Sequence, residues 1–257
     1  MKHIVIGTIL CAATAISTPA FSQDDDGINP SSTISSVSEY VFRGVSLGGS
    51  SLQPSTEIST DIGITVGAWY SAGIGSDSSV QADEIDLYVN YSLPFDGPVS
   101  FDIGGTYYFY PQSGSLFETD GGVAGSYEVY GSVGLSDLPL SPAATVYYDF
   151  TLENLTLEGS IGHTLPLPRE GWSADLGLTA GLVDSDAGTD YEWGTATVSL
   201  NKAITDSIAF YLAGNFTVNS EDNTLGFDRQ VLANGFEFAT ADSDTQFWFG
   251  SGLTVSY

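Results

Sequence analysis

Eight acidic residues, Glu39, Glu84, Asp86, Asp102, Glu128, Asp149, Glu158 and Asp175, sit in stretches where polar and apolar side chains alternate. Residues 84–91, EIDLYVNY, are the clearest case. An extended chain points successive side chains to opposite faces. Ile85, Leu87, Val89 and Tyr91 therefore share one face, and Glu84, Asp86, Tyr88 and Asn90 share the other. If the acidic faces enclose a wet space, their carboxylates attract cations and repel anions. Arg43, four positions from Glu39, is the single base of that parity. In an acidic enclosure its charge must pair with carboxylates. Two roles stay open for it: a constriction charge that selects solutes, or a pin that holds one strand against a neighbour.

Other chemistries find less support. Nucleophilic catalysis needs a His beside a Ser and an orienting acid or amide. Beyond the first 22 residues the sequence holds one histidine, His163, which shares the apolar parity of Ile161 and Leu165. No neighbouring stretch offers a Ser and an Asn on that face, so no catalytic residue is assigned. Asp184, Asp186 and Asp190 have a D-x-D-x-G spacing that can present oxygen ligands to Ca²⁺, although the closing bidentate Glu of an EF-hand is absent. Calcium is the one cofactor the sequence offers, and otherwise none is expected. Nucleic acid is excluded as a partner because phosphate binding needs clustered Lys and Arg. Residues 23–257 carry four basic residues, Arg43, Arg169, Lys202 and Arg229, against 32 acids, a formal net charge of −28. Such acidity fits either a cation-attracting pore or a saline habitat.

The elements that must position these residues read as strands. Residues 246–257, QFWFGSGLTVSY, place Phe247, Phe249, Leu253, Val255 and Tyr257 on one parity and Trp248, Gly250, Gly252, Thr254 and Ser256 on the other. Eleven further segments alternate in the same way. The first covers 32–43, with Ile34, Tyr40 and Phe42 on the apolar face and Glu39 and Arg43 opposite, before a Gly- and Ser-rich turn at 44–51. The tenth, near 189–201, is the weakest, with Ala196, Val198 and Leu200 placed outward. Connections alternate between compact, often proline-rich turns and longer Ser-, Gly- and Asp-rich loops, with a short link at 151–154 as the exception. Twelve strands with this asymmetry predict an all-β, antiparallel transmembrane β-barrel whose apolar parity faces lipid. A secreted β-sandwich would alternate as well. It would not place Tyr40, Tyr91, Tyr107, Phe150, Trp172 and Tyr257 at strand ends, where interfacial girdles belong.

Composition and the N-terminus agree with a barrel. Charged residues make up 14 % of the chain, against about a quarter in ordinary soluble domains. Lys2 and His3 precede an apolar run at 4–16, and Ala20 and Ser22 suit cleavage before Gln23. Residues 1–22 read as a signal peptide, since the run is short for a spanning anchor. The only cysteine, Cys11, lies within it. Residues 23–31 read as a flexible periplasmic leader and 32–257 as the barrel.

Three segments carry a resemblance. Residues 38–46, SEYVFRGVS, resemble the S-x-Y-V-F-R-G-I-S opening of the TorF family of outer-membrane porins. Residues 67–71, GAWYS, resemble that family's G-V-W-A-S strand. TYYFYP at 106–111 and YEVY at 127–130 resemble its Y-x-Y-P and Y-E-V-Y pair. Together they span the first six strands, and the second half matches in general strand character. Gly252, Val255 and Tyr257 resemble the C-terminal signal read by the barrel-assembly machinery. The resemblances imply a bacterial outer-membrane location, lipid and the assembly machinery as partners, and passage of small hydrophilic solutes, without naming one. From the acidic parity the solutes are expected to be cations. The alternative is a closed, non-channel barrel whose acidic loops serve adhesion or envelope integrity.

Overall fold

The computed structural model describes residues 27–75, 83–95, 97–117, 125–186, 189–220, 230–231, 237–238 and 244–257. Twelve antiparallel strands form one closed barrel: β1 Ile28–Val37, β2 Ser51–Thr60, β3 Ile64–Gly73, β4 Glu84–Ser92, β5 Ser100–Phe109, β6 Gly125–Gly134, β7 Ala143–Asp149, β8 Asn154–Pro166, β9 Trp172–Ser185, β10 Tyr191–Ala203, β11 Ile208–Asn219 and β12 Thr245–Ser256. Each strand pairs with its sequence neighbour. β1 closes the ring on β12, from Ser31↔Ser256 to Val37↔Gly250. Closure leaves no strand edge unpaired, which is the condition lipid places on any spanning sheet.

The alternation sets the two faces. Val89, Ile103, Val129, Leu157, Leu178, Val198, Leu212, Phe216 and Phe249 are all exposed on the outside. Asp86, Thr106, Glu128, Thr156, Asp175, Ser199, Asn215 and Thr217 are buried inside. Water would penalise so large an apolar exterior, whereas a hydrocarbon surround does not. β10 follows the same rule, with Val198 and Leu200 exposed and Ser199 and Asn201 buried, as its parity predicts. The start of β1 and the end of β12 share one end of the barrel, where the connections at 61–63, 93–99, 135–142, 167–171 and 204–207 are short in sequence. Most connections at the opposite, far end are longer.

The first strand departs from expectation. β1 begins at Ile28, so residues 28–31, read as leader, belong to the barrel, and it ends at Val37 rather than at 43. The chain then folds back as a short hairpin in which Tyr40–Phe42 pairs with Val45–Gly48. Half of the expected turn at 44–51 is thus the hairpin's second strand, Val45–Gly48. Tyr40 and Phe42 do not face lipid. Tyr40 and Val41 are buried, and the hairpin lies inside the barrel. Its tip is Arg43-Gly44, with φ of 45° and 84°. Positive φ at both central residues is the signature of the two-residue turn that matches hairpin twist. A Cβ on Gly44 would lie 2.4 Å from the Trp193 Cβ, so the tip approaches the wall too closely for any larger residue.

Candidate functional site: the inner hairpin and the acidic lumen

The hairpin bridges the far half of the lumen from wall to wall. On one side the Tyr40 ring packs on Trp69 of β3 with centroids 5.5 Å apart, and its hydroxyl donates to Glu84 of β4 at 2.8 Å. Tyr110, just past β5, donates to the other oxygen of Glu84 at 3.3 Å, and Asp86 adjoins the same carboxylate. Burial, then the negative charge of Glu84 and Asp86, pushes the Tyr40 and Tyr110 phenols well above their ordinary 10. Both therefore stay protonated donors at any physiological pH. On the opposite side Val45 joins Val183, Tyr191 and Trp193 of β9 and β10 in an apolar cluster, with Leu47 against it. Asn219 Nδ2, at the end of β11, donates to the Gly44 carbonyl at 2.9 Å. Near the seam, Val41 packs with Val37 and Trp248.

Arg43 occupies the centre of this arrangement. Its guanidinium donates to both oxygens of Glu128 on β6, at 2.6 and 2.9 Å. It also lies over the Tyr147 ring at 4.1 Å and the Phe42 ring at 4.7 Å. Glu128 receives a further hydrogen bond from Tyr108 at 3.0 Å, and Tyr147 donates to Glu158 of β8 at 3.4 Å. The Arg43 side chain is 12 % exposed and that of Glu128 3 %. A charge so deeply placed is tolerable only when its hydrogen-bonding capacity is met, and the fork-to-fork pair meets most of it.

The structure divides the predicted carboxylates into groups. Glu84, Asp86, Glu128, Asp149 and Glu158 lie in the far half, around the hairpin. Asp149 also accepts from the Thr151 and Leu152 amides at 2.8 Å, which explains the tight 151–154 link. Deeper along the barrel, Asp102 accepts from Ser92, and Asp175 accepts from Asn201 at 2.8 Å. Glu39 does not share a strand face with Arg43. It is half-buried in the segment between β1 and the hairpin. Glu57, an acid outside the predicted set, faces inward from β2 and accepts from Tyr88 at 3.2 Å and Ser31 at 3.4 Å.

Towards the terminal end, tyrosines lie flat on the wall. Tyr88 covers Gly67, Tyr130 covers Gly104 and Tyr211 covers Gly252, each directly across a strand pair. A Cβ on any of these glycines would fall 2.3–2.4 Å from the ring. The bare backbone is what allows each ring to lie down. The hydroxyls are tied to Glu57, to Asn90 at 2.6 Å and to Ser35 at 2.9 Å.

The remaining predicted residues lie elsewhere. Asp184, Asp186 and Asp190 are exposed around the β9–β10 loop, where Asp190 accepts from the Ser185 amide at 2.9 Å. Among the described residues no three His, Cys, Asp or Glu side chains are grouped to hold a metal ion. Within the assembly pattern, Gly252 lies under Tyr211, Val255 pairs with Ser32 and Ile208, and Tyr257 is exposed at the terminal end. His163 is exposed on the outer face of β8. Arg169 and Lys202 flank Trp172 outside the lumen, and Arg229 lies outside the described residues. The proposed signal peptide also lies outside them.

Comparison with solved structures finds the same architecture. The KdgM porin superposes with a TM-score of 0.57 at 11 % identity, covering 88 % of this chain and 99 % of that one. The KdgM porin in complex with disordered oligogalacturonate gives 0.54 at 10 % identity, covering 89 % and 99 %. The NanC porin gives 0.53 at 11 % identity, covering 87 % and 98 %. The chain thus has a porin-like barrel fold. No curated protein matches the sequence at a significant level. A family model described as "Bacterial protein of unknown function (Gcw_chp)" matches residues 22–241, and the chain belongs to that family.

Proposed function

We propose that the protein is an outer-membrane porin that passes small hydrophilic solutes and prefers cations. The observation carrying this reading is the acidic lumen. Seven inward carboxylates beyond Glu39 (Glu84, Asp86, Asp102, Glu128, Asp149, Glu158 and Asp175) are joined by Glu57. Among the described residues Arg43 is the one inward base. Carboxylates along a confined path lower the barrier for cations and raise it for anions. One solved neighbour is described in complex with oligogalacturonate, a polyanion. The lumen described above would repel such a solute, so the shared fold does not carry that substrate across. The apolar exterior, the compact turns at the terminal end and the resemblance to TorF porins support a bacterial outer membrane with the termini in the periplasm, reached after removal of residues 1–22. Turnover chemistry is not part of this reading: His163, the one histidine of residues 23–257, faces outward on β8.

The hairpin favours a second reading, a closed barrel with a structural interior. Planar-bilayer recording separates the two. The porin reading expects discrete conductance steps from the purified, refolded chain. Insertion without any conductance would establish the closed barrel instead.

A further inference from the structure

The inner hairpin carries its own cation to a site built for one. The Arg43 guanidinium sits between two aromatic rings, Phe42 and Tyr147, and is gripped at both ends by Glu128, with Glu158 close enough to act on it electrostatically. Asp149 adds its charge beside Glu128. Two carboxylates, Glu128 and Glu158, thus act on one guanidinium, with Asp149 behind Glu128. Ring faces with a desolvated carboxylate are the elements that recognise guanidinium and ammonium groups.

Two of the pocket's walls, Glu128 and Tyr147, belong to the barrel. The guanidinium and the Phe42 ring belong to the hairpin, which is tethered to the barrel at 37 and 51. If the hairpin swings out, Glu128 loses the cation that neutralises it and keeps only barrel partners such as Tyr108. Breaking a buried pair by removing one partner is strongly unfavourable, and a second cation entering the vacated place removes that penalty. Exit of the hairpin is therefore coupled to entry of a cation.

We infer that the Glu128–Tyr147–Glu158 pocket is a binding site for guanidinium- or ammonium-bearing solutes, and that Arg43 is its tethered competitor. The tether narrows the far half of the lumen until a solute of this class takes its place. The inference rests on the porin reading only for the passage that follows; the binding does not depend on conductance.

The test uses the full refolded chain in detergent, with methylguanidinium chloride as probe and sodium chloride at equal ionic strength as control. An Arg43→Ala variant should bind methylguanidinium saturably by titration calorimetry. Wild type should bind at least about tenfold more weakly, since its pocket is free only while the hairpin is out. Adding Glu128→Gln to Arg43→Ala should abolish the heat. In wild type, tryptic cleavage after Arg43 should speed up severalfold with methylguanidinium and not with sodium. No saturable heat in folded Arg43→Ala, or unchanged cleavage in wild type, would overturn the site. Should Arg43→Ala fail to fold, the cleavage arm on wild type and on Arg43→Lys decides alone. Conductance without binding would sink this inference and leave the porin; binding without conductance would do the reverse.

Discussion

Replacing Glu128 with Gln asks how firmly the hairpin is held. The substitution preserves shape and an acceptor for Tyr108, but leaves Arg43 beside a neutral amide. Removing one member of a buried ion pair costs about 3–5 kcal/mol. Here Glu158 remains within electrostatic reach and the Arg43 side chain is 12 % exposed, so the cost falls to the bottom of that range or just below it, about 2–3 kcal/mol. The barrel itself is held by a closed ring of twelve strand pairings, so the loss falls on hairpin docking rather than on the fold. At 1.4 kcal/mol per factor of ten, the undocked population rises roughly 30- to 150-fold. Trypsin reads that population directly. The Arg43–Gly44 bond is at the hairpin tip, shielded against Trp193 when docked, and cleavage tracks the open fraction when opening is faster than cutting. Glu128→Gln should be nicked after Arg43 at a rate higher by that factor, with unchanged β-sheet circular dichroism. Equal nicking rates in a folded variant would refute the pin.

Other perturbations test other parts. Tyr40→Phe removes the O–H donated to Glu84 but keeps the packing on Trp69, so nicking after Arg43 should rise by about tenfold, in line with roughly 1.5 kcal/mol for a hydrogen bond to a charged group. Gly104→Ala places a methyl where the Tyr130 ring lies, so the ring must lift into the lumen and single-channel conductance should fall. Gly104→Ala with Tyr130→Ser should recover it, and unchanged conductance in the single variant would contradict the flat-ring arrangement. Cation preference should weaken from 0.1 M to 1 M salt as the screening length shortens from about 10 Å to about 3 Å. Preference insensitive to salt would point away from lumen charge. Deleting Tyr257, on the assembly-signal reading, should lower the amount of folded barrel in the outer membrane without altering the selectivity of what inserts.

Much of the barrel was legible because each strand separates lipid from lumen, and that division writes itself into residue parity. From β3 onward the inward acids fell where their parity placed them. The hairpin was not legible for the same reason. Tyr40-Val41-Phe42-Arg43 continues the alternation of β1, and nothing in the pattern says that an extended segment turns inward. The Arg43-Gly44 pair was the available signal, but arginine is unusual at positive φ, and Asn or Asp would have marked the turn more plainly. Glu57 was recoverable: Leu52 and Ile58 share the other parity of β2, which places it inward. The tyrosine-on-glycine pairs depend on register between strands, and single-strand periodicity contains no register. The Arg43–Glu128 pair joins residues 85 positions apart. The need for a carboxylate partner could be argued from burial, but its identity required the fold.

The reversal potential of the purified chain in a planar bilayer under a potassium chloride gradient tests the acidic lumen most directly. An acidic lumen predicts a potential on the potassium side of zero, moving towards zero as both solutions are made more concentrated. A potential on the chloride side would contradict it.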